Sequence, residues 1–171
     1  MSILTQYRER LHLKEVKQDF HQQQKGAGYF TGLAKVGILM DATEETEKKE
    51  ALAFVEQLKK QAGTIHVLGY VNRKEINTEL PFDSFCKKDL DWLWRPKDAL
   101  TRQFKAKPFD LLINLCQKDC FPLEYLAVST NANYKIGALT NYPNSYDLML
   151  DTKSLTKYLE QVNFFLVKFS N

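Results

Sequence analysis

Apolar positions along the chain recur at two spacings, and the switches between them divide it into elements. Over residues 2–24, Leu4, Tyr7 and Leu11, then Leu13, Val16 and Phe20, recur three or four residues apart, a helical pattern whose stripe shifts face midway. His21-Gln22-Gln23-Gln24-Lys25 offers no apolar partner, and Gly26, Gly28 and Gly32 then break the helix, so 25–33 reads as a linker. From Lys35 onward strand and helix alternate. Val36-Gly37-Ile38-Leu39-Met40 is apolar nearly throughout, as a strand buried on both faces is. A helix follows from about Glu44 to Gln61, with Ala51, Leu52, Val55, Leu58 and Ala62 in one stripe and Gly63 placed for a left-handed cap. Ile65–Val71 is the second strand and Phe82–Phe85 a weaker third, bounded by Pro81.

The second half repeats the alternation. A short helix over Pro96–Lys105 leads to Phe109–Leu115, the strongest later strand. Pro122 opens a helix to about Ser129, since proline suits a first helical turn. Tyr134–Leu139 and Tyr146–Leu150 are two further strands. Asp151 or Thr152 is placed to cap a last helix whose stripe runs Leu155, Tyr158, Leu159, Val162, Phe165, Leu166, Phe169. Strands alternating with helices imply an α/β fold, a Rossmann-like three-layer domain with a mainly parallel sheet over 34–171, preceded by the N-terminal helix and glycine-containing linker of 1–33. Right-handed crossovers place the 36–40 strand beside 109–115, which puts a ligand crevice at Asp41, Ala42 and Thr43 facing Asn114, Leu115 and Cys116.

Lys35-Val36-Gly37-Ile38-Leu39, Phe109–Leu115, Tyr134-Lys135-Ile136-Gly137 and Tyr146–Leu150 resemble the strands of a bacterial family of small Rossmann-like α/β proteins of unknown function. The resemblance spans roughly residues 34–169. It implies a compact cytoplasmic α/β protein and supplies no catalytic residue.

Composition narrows the classes further. The chain has 171 residues, 44% hydrophobic and 26% charged, which suits one globular domain able to hold itself together without disulfides or metals. No apolar run approaches the roughly 20 residues of a membrane span, and the start Met1–Arg8 lacks the pattern of a secretory signal. Cys86, Cys116 and Cys120 are odd in number and carry no CxxC spacing, which reads as reduced thiols in the cytoplasm. A net charge of +3 names no partner.

Candidate chemistry is sparse. Gly26, Gly28 and Gly32 precede the first strand, whereas a dinucleotide loop must follow it. After that strand Glu44, Glu45 and Glu47 fill the helix start, where a phosphate would otherwise dock. Asp41 lacks the second aspartate that haloacid-dehalogenase-type phosphatases place two residues on, since Thr43 stands there. It could hold Mg²⁺ with Glu44 or Glu45, but an N-terminal capping cluster is the simpler expectation. Cys116 and Cys120 have no histidine near in sequence and are expected to be inert, and His66 is expected to be structural. No cofactor and no metal is expected.

The most distinctive stretch is 86–107. It holds Lys87, Lys88, Arg95, Lys97, Arg102, Lys105 and Lys107 against Asp89, Asp91 and Asp98, and both tryptophans, Trp92 and Trp94, which strand alternation would put on one face. Such a segment suits a packed helix face, a protein interface or nucleic acid. The leading expectation is a non-catalytic module that binds another macromolecule, most readily a protein, through Lys87, Lys88, Trp92, Trp94, Arg95 and Arg102. RNA bound by the same segment is one alternative. A nucleotide or sugar-nucleotide enzyme using Asp41, Thr43 and Asn114 is the other. No membrane partner is expected.

Overall fold

The computed structural model describes Leu11, Lys14 and residues 32–76, 79–140 and 145–169. Of the expected N-terminal helix and linker, Leu11 and Lys14 are helical and the remaining positions before Gly32 lie outside the described residues.

Six strands form one sheet in the order β3-β2-β1-β4-β5-β6, every pair parallel. They are β1 (Lys35–Asp41), β2 (Thr64–Val71), β3 (Asp83–Cys86), β4 (Phe109–Asn114), β5 (Ala132–Ala138) and β6 (Leu148–Leu150). The helices are α1 (Glu45–Leu58), α2 (Ala99–Ala106), α3 (Phe121–Ser129) and α4 (Leu155–Phe169). The order reverses between β1 and β4, as the Rossmann arrangement requires, with Ile38 paired to Ile113 and Leu39 to Asn114.

The central strands β1 and β4 bury both faces because a helical layer covers each side of the sheet. Val36, Ile38, Met40, Leu111 and Ile113 pack with Phe54, Val55 and Leu58 of α1 and Tyr158, Val162 and Leu166 of α4. Leu39, Leu68, Leu112 and Phe109 pack on the other side with Phe104 of α2 and Leu123, Leu126 and Ala127 of α3. This two-sided burial explains the apolar run Val36–Met40 of β1 and Leu111–Ile113 of β4.

Four local expectations need correction. Gly63 does not take the left-handed conformation, which among described residues only Gly32 and Trp94 adopt. Its N–H donates to the Leu33 carbonyl (2.9 Å), and a Cβ there would sit 2.6 Å from the Ala34 oxygen, so close approach to the entry of β1 is what requires glycine. The second helix begins at Ala99, not Pro96, because Pro96 bridges to Leu90; Asp98 caps it by accepting from the Thr101 N–H (2.7 Å). The last helix is capped by Ser154, whose hydroxyl accepts from the Lys157 N–H (3.4 Å), and not by Asp151 or Thr152. Finally, β6 starts at Leu148, because Tyr146 turns inward. Its ring packs against β5 where Gly137 leaves room: a Cβ on Gly137 would clash with the ring atoms.

Candidate functional site

The carboxyl ends of β1 and β4 form the expected crevice, and the structure treats its two sides differently. On the α1 and α4 side lies a pocket of about 280 Å³. Met40, Ala51, Leu115 and Leu155 supply its apolar lining, and Asp41, Glu47, Cys116, Gln117, Lys118 and the segment Thr152–Ser154 its polar lining. Asp41 Oδ1 accepts from the Thr43 N–H (2.9 Å), which holds the turn leaving β1. The carboxylate of Glu47 reaches across to the Lys118 ammonium (2.8 and 3.0 Å), and this bond is the main reason the Lys118 pKa is raised. Gln117 Nε2 donates to Thr152 Oγ1 (3.2 Å).

The acids at the start of α1 therefore do not form the expected capping cluster. Glu44 stands at the N-cap position with no side-chain bond to the helix, Glu45 pairs with Lys48 (2.6 Å), and Glu47 faces the pocket. The carboxylates of Glu45 and Glu47 find ammonium partners on flexible stems, which compete with the weaker attraction of the helix end.

On the α2 and α3 side the crevice is filled. Asn114 is 1% exposed. Its Nδ2 donates to the Tyr146 hydroxyl (2.7 Å), its Oδ1 accepts from the Cys116 N–H (3.1 Å), and its carbonyl accepts from the Tyr158 hydroxyl (2.8 Å). Tyr146 in turn donates to Glu124 Oε2 (3.0 Å), and Thr140 to Glu124 Oε1 (3.4 Å). Glu124 lies in the first turn of α3 and is as buried as Asn114. Burial pushes its pKa up to about 8, against the hydrogen bonds of Tyr146, Thr140 and Ser145, which pull it down. Burial likewise raises the Tyr146 hydroxyl well above its ordinary value.

Of the expected crevice residues Asp41, Leu115 and Cys116 line the pocket, and of Asp41, Thr43 and Asn114, the three expected to serve an enzyme, only Asp41 does. Asn114 is consumed by the buried network. Thr43 is turned to the loop after β2, where its hydroxyl accepts from the Asn72 N–H (2.8 Å) and its carbonyl from Arg73 (3.3 Å). Sequence reading missed Glu124 and Tyr146. A lone acid inside the apolar run Pro122-Leu123-Glu124-Tyr125-Leu126-Ala127-Val128 was the available signal, since a helix so apolar is buried all round.

Cys120 hydrogen-bonds to Cys116, and that bond together with burial raises its pKa well above the usual thiol value. Cys116 directs its own S–H to the Lys118 carbonyl (3.4 Å). Cys86 is raised by burial. His66 sits on β2, accepts from Lys107 at Nδ1 (3.2 Å) and meets Phe109 edge-on; burial and Lys107 lower its pKa. His12 and His21 lie outside the described residues. Among the described residues no group of three His, Cys, Asp or Glu could hold a metal ion, and no helix is long and apolar enough to cross a membrane.

The tryptophan segment is a hairpin, not an extended strand. Lys97 N donates to Asp89 O (3.0 Å) and Asp91 N to Arg95 O (2.9 Å), with Leu90 bridged to Pro96. Asp91 organises its turn: Oδ1 accepts from the N–H groups of Leu93 (2.8 Å) and Arg95 (3.0 Å), and Oδ2 from Arg95 Nε (2.7 Å). Burial works to raise the Asp91 pKa, but these bonds outweigh it and the carboxyl sits below its ordinary value. Trp94 takes φ = 61°, a conformation that costs a bulky residue about 1–3 kcal/mol, and its ring stacks on Phe121 (4.8 Å). The turn therefore separates the two indoles instead of aligning them. Trp94 packs on α3, while Trp92 is 58% exposed.

The bases of the segment divide the same way. Arg95 is tied to Asp91, Lys105 lies over the Tyr125 ring (4.8 Å) and Lys107 is on His66. Lys87, Lys88, Lys97 and Arg102 are exposed. The neighbouring acids turn inward: Asp89 accepts from Cys86 N (2.8 Å) and Asp98 caps α2.

The sequence profile of a family of unknown function, DUF6913, matches residues 8–168. The chain belongs to that family. No curated protein and no solved structure matches it. The DUF6913 match runs through both sides of the crevice and the Trp92 hairpin, so the pocket, the buried network and the exposed indole all lie within the family region.

Proposed function

We propose that this chain is a binding module whose partner is an acidic segment of another protein, anchored on Trp92 and steered by Lys87, Lys88 and Lys97. The observation that carries the reading is the way Trp92 is held. A strained residue at Trp94 and the Asp91 bonds fix the backbone of the turn, and that turn presents the Trp92 indole to water. Rigid, exposed tryptophan is the usual anchor of a protein interface, because its large surface is buried with little loss of freedom. Around the hairpin Lys87, Lys88, Arg95 and Lys97 outnumber Asp89, Asp91 and Asp98, and the three lysines are exposed, a positive excess that favours an acidic partner.

A single-stranded nucleic acid would need successive aromatic platforms. Here one of the two indoles is stacked on Phe121, and Arg95 is spent on Asp91, which favours a protein. The test is affinity isolation with wild-type and Trp92→Ala chains in parallel, then titration of the recovered protein's acidic segment as a synthetic peptide. Loss of an anchor worth about 2 kcal/mol weakens the peptide about thirtyfold in Trp92→Ala, and Lys88→Glu with Lys97→Glu weakens it further in low salt. Equal recovery by both chains overturns the reading. So does retention that nuclease abolishes, which would make the ligand RNA.

A further inference from the structure

We infer that the pocket between β1, α1 and α4 binds a small zwitterion carrying an apolar side chain, a ligand of the α-amino-acid class. This goes beyond the Trp92 reading and does not depend on it. The inference starts from which polar groups of the pocket wall remain uncommitted. Glu47 and Lys118 satisfy each other, Gln117 is bonded to Thr152, and the Ser154 hydroxyl caps α4. Two groups of opposite charge are left with hydrogen-bonding capacity: Asp41, whose charge already acts on Lys118 but of which only Oδ1 is used in a hydrogen bond, and the exposed Lys153 ammonium, which no ion pair holds among the described residues.

The remaining wall is apolar, formed by Met40, Ala51, Leu115 and Leu155, so a ligand must bring apolar surface to cover it. At about 280 Å³ the volume lies just below the range of drug-sized pockets and far below what a dinucleotide occupies. Two carboxylates in the wall, Asp41 and Glu47, repel a polyanion, which argues against phosphate compounds. A ligand with one ammonium, one carboxylate and a compact apolar side chain matches all of these features. Its ammonium meets Asp41, its carboxylate Lys153, and its side chain the apolar wall.

The test is calorimetric titration of L-leucine and L-methionine, with two half-ligands as controls: isopentylamine, which lacks the carboxylate, and 4-methylpentanoate, which lacks the ammonium. The expected result is saturable binding of the amino acids, with each half-ligand weaker by about tenfold or more, the size of one lost charge-assisted bond. Asp41→Asn keeps the Oδ1 acceptor for Thr43 and loses the charge, and Lys153→Gln alters an exposed side chain, so both fold. Each is expected to weaken the amino acid about tenfold at an unchanged melting temperature. Absence of binding at millimolar amino acid, half-ligands as tight as the zwitterion, or full affinity in both variants overturns the inference.

Discussion

Asp41 and Asn114 close neighbouring parallel strands at the same end of the sheet, yet they meet opposite surroundings. Around Asn114 water is excluded, and each polar atom is satisfied by another: Asn114 by Tyr146, Tyr146 by Glu124, Glu124 by Thr140. Around Asp41 the polar groups border an open pocket, and their pairs, such as Glu47 with Lys118, have more than a third of each side chain in water. The difference is one of replaceability. A bond lost in the buried network leaves its partner stranded without water, whereas a bond lost at the pocket is replaced by solvent. The buried side is therefore built to hold shape, and the open side can exchange partners, which a binding site must do.

Removing Tyr146 should break the comparison most visibly. Tyr146→Ala empties the space above Gly137 and strands both Asn114 and Glu124, and truncation of a buried aromatic costs about 3–5 kcal/mol. Urea unfolding read by tryptophan fluorescence measures it. Tyr146→Phe keeps the ring and removes only the hydroxyl, so its cost should fall to about 1–3 kcal/mol. A Tyr146→Phe chain as stable as the wild type would show that the network is not closed to water.

The pH dependence of stability comes next in size, and two buried groups give it opposite signs. Glu124 has a folded pKa of about 8 against an ordinary 4.5, so its protonated form belongs to the fold. Its contribution is whole below about 4.5 and is lost as pH rises through about 8. Lys135, whose ammonium donates to the Val128 carbonyl at the end of α3 (2.9 Å), is shifted the other way: burial lowers its pKa to about 8, against the pull of Asp147. Its contribution is present above its ordinary 10.5 and is lost as pH falls through about 8. Together the two produce a local minimum of stability near pH 8, with a falling limb below it and a short rising limb above, which ends near pH 9 because the raised thiols of Cys86 and Cys120, and then the raised tyrosines, lower stability as the pH climbs further. Glu124→Gln should flatten the falling limb, and Lys135→Met the shallower rising one, in melting temperatures taken across that range. A wild-type profile that rises from pH 5 to 8 would refute the assignment of Glu124 as a neutral acid.

The sheet was legible because burial on both faces leaves a direct trace in composition: the runs 36–40 and 109–115 are apolar enough to fix their place at the centre, and the order of elements then dictates β1 beside β4. What escaped is what depends on distant partners. Ser154 displaces Asp151 and Thr152 as the helix cap because Thr152 is bonded to Gln117 across the pocket, a contact invisible in local pattern. Trp94 leaves the face of Trp92 because Asp91 and Phe121 hold it at positive φ, against its own preference. Asp41 is a crevice residue by its position alone, which topology guarantees. Asn114 held the mirror position, but whether such a residue faces a pocket or a tyrosine depends on a side chain thirty-two residues later.

The smallest expected effect sharpens the comparison from the open side. Lys118→Ala removes the partner of Glu47, and because both side chains are substantially exposed the cost to stability should stay within about 0–1 kcal/mol. The same substitution adds an unpaired carboxylate to the pocket wall beside Asp41. The ammonium end of an amino-acid ligand should then be held more firmly and its carboxylate end repelled, shifting preference toward isopentylamine over 4-methylpentanoate. A small change in melting temperature with a clear change in this preference is what an exchangeable ion pair predicts; a cost equal to that of Tyr146→Phe would mean that the two sides of the crevice are equally rigid.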